Sequence, residues 1–146
     1  MSTLLLLSGP NLDLLGVRAP EVYGTMTLED HVSRVRELCE PSISVTHLQS
    51  NFEGDLVEAI HAARGVHDAI IINAGALTHY SWSLRDALEA FDGIAIEVHL
   101  SNPAAREQFR RHSTLAEVVD GSIAGFGQLS YELAVVAVRD LLAARD

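Results

Sequence analysis

The run Ala69-Ile70-Ile71-Ile72-Asn73, followed by the small residues Ala74-Gly75-Ala76, decides the fold of this chain. Side chains alternate between the two faces of a strand, so three successive isoleucines make both faces apolar. A strand that is apolar on both faces is typical of a parallel sheet covered by helices on each side. The run therefore predicts an α/β fold.

Further apolar runs rich in β-branched residues alternate with stretches of helical periodicity. We predict strands at residues 3–8, 43–48, 69–73, 94–98 and 118–123, and helices at 28–39, 53–63, 81–90 and 128–143, with a short helix after Pro103. This βαβα alternation predicts a flavodoxin-like, doubly wound parallel sheet of about five strands in a single domain, residues 1–146. Ligands bind beyond the carboxyl ends of such strands, so we expect function in the segments after strands one, three and four.

Composition narrows the possible functions. The formal net charge is −10, so the molecule repels polyanions and we expect no nucleic-acid partner. All ten basic residues are arginine, and the absence of lysine excludes Schiff-base chemistry, pyridoxal phosphate attachment, Walker-type phosphate binding and receiver-domain chemistry.

No apolar run approaches the roughly 18 residues that cross a bilayer, and the N-terminus lacks a basic segment. These features predict a cytoplasmic protein without membrane contact, and Cys39 is predicted to be a structural thiol.

The segment after the first predicted strand, residues 9–24, is long for a βα connection. Loops of this length inside a compact domain are usually lids or binding loops. This one contains an amide (Asn11), a permanent cation (Arg18) and a phenol (Tyr23), and Thr27 follows as a possible helix cap. The alternative is a surface loop with an incidental arginine and tyrosine.

Polar side chains also follow the third predicted strand. Asn73 and His79 can form hydrogen bonds with hydroxyl groups, and the small residues between them let the backbone approach a ligand. The alternative is a helix-entry loop in which Thr78 or Ser81 is only the N-cap.

The fourth predicted strand ends with a carboxylate beside an imidazole. Glu97 and His99 point to the same face because side chains alternate along a strand. A carboxylate fixes the tautomer of a neighbouring imidazole, which suits a general acid. Two alternatives are a purely structural pair and half of a metal site completed by His79.

Other basic residues are less specific. A local cluster could clamp a carboxylate or could be an exposed helix face; it contains Arg106, Arg110, Arg111 and His112. The remaining histidines show no paired spacing, and we predict surface or cap positions for His31, His47, His61 and His67.

Taken together, these segments resemble the type II 3-dehydroquinate dehydratases over nearly the whole chain. The matching blocks, in the order of that family, are Gly9-Pro10-Asn11-Leu12, Leu14-Leu15-Gly16, Arg18, Pro20, Tyr23-Gly24, Gln49-Ser50-Asn51, Glu53-Gly54, Asn73-Ala74-Gly75-Ala76, Thr78-His79, Glu97-Val98-His99-Leu100-Ser101-Asn102, Phe109-Arg110, His112-Ser113, Gly125-Phe126-Gly127 and Ser130-Tyr131. The resemblance implies a flavodoxin-like fold, no metal or organic cofactor, and a homo-oligomer, a dodecamer built of trimers. It also implies that a small anionic substrate, 3-dehydroquinate, loses water to give 3-dehydroshikimate, in the shikimate route or in quinate breakdown.

The same resemblance implies roles for individual residues. Tyr23 matches the base, and Asn11 the residue that holds the water stabilising the enolate. A free phenol ionises near pH 10, so a base of this kind needs a cation beside it, and Arg18 lies on the same loop. His99, held by Glu97, would protonate the leaving hydroxyl. The binding positions carried over are Asn73, His79 and Arg110 for substrate hydroxyls, the backbone of Leu100 and Ser101 for the carboxylate, and Asp86 for a neighbouring subunit's site.

A flavodoxin-like binding module for a nucleotide or flavin is the competing class. The first loop lacks the serine, threonine and glycine run that wraps a phosphate. One Trp and three Tyr also leave few side chains for stacking a flavin ring.

Overall fold

The computed structural model describes residues 1–146 and contains one five-stranded sheet in the order β2-β1-β3-β4-β5. The strands are β1 (Ser2–Ser8), β2 (Ile43–Gln49), β3 (Ala69–Asn73), β4 (Ile94–His99) and β5 (Gly121–Ala124), and the helices are α1 (Pro20–Tyr23), α2 (Leu28–Cys39), α3 (Glu53–Ala63), α4 (Trp82–Glu89) and α5 (Gln128–Arg145). Every neighbouring pair of strands is parallel. The predicted doubly wound α/β fold is confirmed.

Each face of the sheet has its own apolar core, as the isoleucine run predicts. Leu4, Leu6 and Ile71 point to one side, where α2 and α5 pack, and this core also contains Cys39. Ile70 and Ile72 point to the other side, where α3 and α4 pack. Burial raises the pKa of the Cys39 thiol, which agrees with the structural role predicted for it.

Hydroxyl side chains begin two of the helices. Thr27 accepts a hydrogen bond from the Asp30 backbone N–H, and the Asp30 carboxylate accepts one from the Thr27 backbone, which completes a capping box for α2. Ser81 accepts from the Leu84 backbone N–H and begins α4 one residue later than the predicted helix. None of the helices is long and apolar enough to cross a membrane.

The fifth strand begins later than predicted. Strand pairing runs from Gly121 to Ala124, whereas the prediction began at Val118. The Val118 N–H donates to the Leu115 carbonyl at 3.0 Å, so this valine closes a turn, and its side chain packs against the core beneath α3 and α4. The β-branched pair Val118-Val119 is therefore a buried turn, which periodicity alone does not separate from a strand. The predicted short helix after Pro103 is present as a single 3₁₀ turn.

Two glycines bring the loops after β1 and β3 into backbone contact. A Cβ at Gly9 would lie 2.5 Å from the Ala74 carbonyl oxygen, and one at Gly75 would lie 2.9 Å from the Pro10 carbonyl oxygen. Gly75 also has a left-handed φ of 60°. This close approach places both loops at the carboxyl end of the sheet, where the strand order reverses.

Candidate active site

A small cavity opens where these loops meet the segments after β4. It has a volume of about 70 Å³, and we call it the Tyr23 cavity. Its lining contains Asn11, Arg18, Tyr23, Asn73, His79, Leu100, Arg106 and Arg110. The sheet therefore brings together eight side chains from three separate segments of the chain, most of them predicted site residues.

The phenol of Tyr23 lies close to two guanidinium groups. Arg106 Nη2 donates a hydrogen bond to the Tyr23 hydroxyl oxygen at 2.9 Å, and its guanidinium carbon lies 5.1 Å from the ring centroid. The guanidinium carbon of Arg18 lies 5.0 Å from the same centroid, in a cation–π arrangement. The phenol oxygen therefore has one cation within hydrogen-bond distance, and a second cation lies close to the ring.

The loop that holds Tyr23 contains two non-glycine residues in the left-handed region. Asn11 has a φ of 68° and Ala19 a φ of 38°, a conformation that costs about 1 kcal/mol or more for such residues. The Asn11 backbone N–H donates to Asn51 Oδ1 at 2.9 Å, which anchors the start of the loop. Ala19 precedes the single-turn helix α1, which begins with Pro20 and ends with Tyr23. One of these residues, Asn11, is a predicted site residue, and the other, Ala19, directly follows the predicted site residue Arg18.

The residues after β3 present oriented polar groups to the cavity. The buried Asn73 side chain accepts from the Gly75 N–H through Oδ1, and its Nδ2 lies 3.5 Å from the Tyr131 hydroxyl. His79 Nδ1 lies 2.8 Å from the His112 carbonyl oxygen, a contact in which Nδ1 carries the hydrogen. Burial lowers the pKa of His79, so its neutral ring exposes Nε2 as an acceptor.

Glu97 and His99 form the predicted pair at the end of β4. Glu97 Oε2 lies 2.7 Å from His99 Nε2, and the Glu97 side chain is 1% exposed. Burial raises the pKa of Glu97, but the hydrogen bond and charge of His99, with hydroxyl groups of Thr78 and Ser113, outweigh burial and lower it. Glu97 therefore remains a carboxylate and fixes Nε2–H of the imidazole, which leaves Nδ1 as the other functional atom of His99.

The His99 ring lines a second cavity of about 250 Å³, which we call the His99 cavity. His79 and Arg110 line both this cavity and the Tyr23 cavity. The two spaces together are close to the lower end of the roughly 300–1,000 Å³ usual for small-molecule sites. A ligand that contacts His79 and Arg110 can therefore reach Tyr23 on one side and His99 on the other.

The other predicted residues occupy different places. Leu100 lines the Tyr23 cavity, while Ser101 accepts a hydrogen bond from Arg106 Nη1 at 3.1 Å. The Asp86 side chain is 74% exposed on α4 and lines neither cavity. Asp86 is thus the one predicted site residue that this subunit does not bring to the others.

No group of three or more His, Cys, Asp or Glu side chains could hold a metal ion, so His79 does not complete a ligand set with Glu97 and His99.

The sequence does not predict the contact that Arg106 makes, and it predicts the wrong environment for His31. The sequence identifies Arg106 only as part of a basic cluster, whereas in the structure Arg106 donates a hydrogen bond to the Tyr23 hydroxyl. The contact joins positions 83 residues apart, and only the fold reveals it.

The prediction of a surface or cap position for His31 is wrong, because this residue is 3% exposed and its ring centroid lies 5.2 Å from that of Tyr131. Its place in α2 points it into the core, and burial lowers its pKa.

Known proteins are similar to this chain in fold and in sequence. The family model described as dehydroquinase class II matches residues 2–139. A 3-dehydroquinate dehydratase of Ruegeria pomeroyi is 52% identical, covering 94% of this chain and 93% of that protein. A catabolic 3-dehydroquinase of Phaeosphaeria nodorum is 49% identical, covering 91% and 88%. The crystal structure of type II dehydroquinase from Butyrivibrio crossotus superposes with a TM-score of 0.92 at 39% identity, covering 94% and 97%. This chain therefore belongs to the dehydroquinase class II family.

Proposed function

We propose that this protein removes water from 3-dehydroquinate to give 3-dehydroshikimate. The observation that carries the proposal is the Tyr23 phenol close to two guanidinium groups. Tyr23 lines a cavity that shares His79 and Arg110 with the His99 cavity. The relatives named above are dehydratases of this substrate, and the competing nucleotide- or flavin-binding hypothesis is not favoured.

The first step is removal of a proton from the carbon next to the ketone. The Tyr23 phenolate takes this proton, and the electron pair of the C–H bond moves onto the ketone oxygen to give an enolate. Arg106 donates a hydrogen bond to the oxygen that takes the proton, and the Arg18 guanidinium lies near the same ring. Asn11 would hold a water molecule that donates to the enolate oxygen.

The second step is departure of the hydroxyl that is β to the ketone. The enolate electrons form the new carbon–carbon double bond as the C–O bond breaks, and His99 donates a proton so that water leaves. Glu97 balances the charge of the imidazolium that this role requires. We propose that base and acid, which line different cavities, act on opposite faces of the ring in an anti elimination.

The substrate would be oriented by hydroxyl and carboxylate contacts. Asn73, His79 and Arg110 are positioned for the substrate hydroxyls, since all three line the Tyr23 cavity. The backbone groups of Leu100 and Ser101, directly after β4, would bind the carboxylate. None of these steps calls on a metal or an organic cofactor, and we propose that the enzyme works without either.

A homo-oligomer, a dodecamer of four trimers, would complete each site. Asp86 is exposed on α4, and the large apolar side chains of Tyr80 and Trp82 beside it are 65% and 74% exposed. A neighbouring subunit at this surface would bury both aromatic rings and receive Asp86 at its own site. A monomeric mass in light scattering would contradict this part of the proposal.

The direct test is an ultraviolet assay with 3-dehydroquinate. The product is a conjugated enone, and we expect its absorbance to rise in proportion to enzyme, with no effect of a metal chelator or of borohydride. Absence of any absorbance change at micromolar enzyme would refute the proposal. The same reaction serves aromatic biosynthesis and quinate breakdown, and one of the relatives named above is a catabolic 3-dehydroquinase. Either route is consistent with the predicted cytoplasmic location.

A further inference from the structure

The Glu97 carboxylate has more partners than the imidazole that it orients. Its Oε2 accepts hydrogen bonds from Thr78 Oγ1 at 2.7 Å, His99 Nε2 at 2.7 Å and Ser113 Oγ at 2.9 Å. Its Oε1 accepts from Ser113 Oγ at 2.9 Å and from Ser122 Oγ at 3.2 Å. Four donor groups thus meet the roughly four lone-pair sites of an ionised carboxylate.

The two oxygens of Glu97 share only one partner, Ser113. Thr78 and His99 contact only Oε2, whereas Oε1 is held by the two serines alone. Without the serines, the carboxylate could rotate about its contacts at Oε2. The serines therefore fix the plane of the carboxylate and, through Oε2, the orientation of the imidazole.

The serines also come from segments that bind or border the substrate site. Ser113 follows the segment that contains Arg110, and its Oγ accepts hydrogen bonds from the backbone N–H groups of Leu115 and Ala116, each at 3.1 Å. Ser122 lies on β5, opposite Glu97 in the sheet, and is exposed to the His99 cavity. Their hydroxyl groups join three segments at one carboxylate.

We propose that Ser113 and Ser122 are positioning residues, which hold Glu97 ionised and aligned so that His99 delivers its proton to the leaving hydroxyl. The inference rests on the proposed role of His99 as the acid. Neither serine need touch the substrate, because both act through Glu97. When His99 gives up its proton to the departing oxygen, the hydroxyl donors keep the negative charge on Glu97, so the remaining Nε2–H stays in place.

The test compares Ser122→Ala and the double variant Ser113→Ala/Ser122→Ala with the parent enzyme in the dehydratase assay. We expect kcat to fall by roughly 3–10-fold in the single variant and by about 10–100-fold in the double variant, below the roughly 10²–10⁴-fold contribution of a general acid. KM should stay within about twofold, because substrate contacts are unchanged. Ser122→Thr, which keeps the hydroxyl, should restore kcat.

The pH profile separates positioning from a structural effect. The Ser113 hydroxyl is one of the groups that lower the pKa of Glu97, so the acidic limb of kcat/KM should move to higher pH in the double variant. The charged or titratable groups that share the His99 cavity are unaltered in these variants; they are His79, His99, Arg110 and Arg111. Thr114→Val is the matched control, because Thr114 Oγ1 donates to the Thr78 carbonyl at 3.0 Å and does not contact Glu97.

The outcomes are distinguishable. Serine variants with the kcat and pH profile of the parent would overturn the inference, as would a loss confined to KM or shared by Thr114→Val. The exposed position of Ser122 makes its alanine variant a test that does not depend on folding. An inactive parent would overturn the proposed function and this inference with it, whereas an active parent with unaffected serine variants would overturn the inference alone.

Discussion

The base side and the acid side of this site are built in different ways. Tyr23 lies on a long loop, within a one-turn helix that has no buried residue, and its hydroxyl has a single hydrogen-bond donor, Arg106. Glu97 lies on β4, which pairs with a strand on each side; its side chain is 1% exposed and accepts hydrogen bonds from four donor groups. The acid side is therefore fixed by the sheet and its immediate neighbours, while the base side depends on one long-range contact.

This difference has a consequence for catalysis. A group held by many short hydrogen bonds loses little orientation when one donor is removed, because the others remain. A group held by one charge-assisted bond loses most of its stabilisation with that bond. Substitutions on the base side should therefore cost more than single substitutions around Glu97.

The largest effect is expected from removal of the base itself. Tyr23→Phe deletes the oxygen that accepts the proton and should reduce kcat by about 10²–10⁴-fold or more. Substrate affinity should change little, because Asn73, His79 and Arg110 remain in place. The ultraviolet assay gives kcat, and calorimetric titration of the inactive variant gives affinity.

A matched control for this variant is Tyr80→Phe. Tyr80 is 65% exposed and lines neither cavity, so its loss of a hydroxyl should leave kcat unchanged. If the Tyr23→Phe enzyme kept most of its activity, the base would be another residue. The comparison of Tyr23 with Glu97 would then say nothing about the base of the reaction.

A smaller effect should separate the two arginines beside Tyr23. Arg106→Gln removes a hydrogen bond to the phenol oxygen and should lower kcat by about 10–100-fold, the range of a charge-assisted bond. Arg18→Gln removes a cation over the ring and should cost less, roughly 3–30-fold. Initial rates for both variants at saturating substrate test this order.

Arg106→Lys is the control for charge, because it keeps the cation but not the forked geometry. Partial recovery would assign the remaining loss to hydrogen-bond geometry. If Arg18→Gln were the more damaging change, the primary cation would be Arg18, as its position on the same loop predicts, and Arg106 would be secondary.

The same contrast explains what the sequence could predict. Glu97 and His99 are two residues apart on a strand, so strand alternation alone places them on one face. Isoleucine runs likewise predict the parallel sheet, because both faces must be covered. Local patterns are sufficient wherever the structure follows from the period of one element.

Long-range features could not be read in this way. The Arg106 contact with Tyr23 depends on how two loops from different strands fold over the same edge. Ser122 reaches Glu97 only because β5 pairs with β4, and no motif points to it. The late start of β5 has a similar cause. Val118 closes a turn, and the type of this residue does not decide between a turn and a strand.

The smallest effect concerns His31, which lies beneath the base side of the site. This residue lines a third cavity of about 500 Å³ that also borders Tyr23 and Arg106, and both of its ring nitrogens are buried without a hydrogen-bond partner. Both oxygens of Glu97 accept hydrogen bonds, whereas the ring nitrogens of His31 have no partner. We therefore expect His31 to lower the free energy of unfolding. His31→Leu should raise the free energy of unfolding at pH 7.5 by about 1 kcal/mol, since unsatisfied buried groups cost roughly 1–3 kcal/mol.

The advantage of His31→Leu should grow with acidity. Burial lowers the pKa of His31 below its usual 6.5. At a pH between the folded-state pKa and 6.5, the unfolded chain therefore binds a proton that the folded chain does not. Stability of the parent therefore falls as the pH drops below about 6.5 and levels off below the folded-state pKa. Urea unfolding at pH 7.5 and 5.5 measures the difference, with the exposed His61→Gln as control. A gap between parent and variant that does not widen at pH 5.5 would mean that His31 gains a partner in solution, and the base side would then be as well satisfied as the acid side.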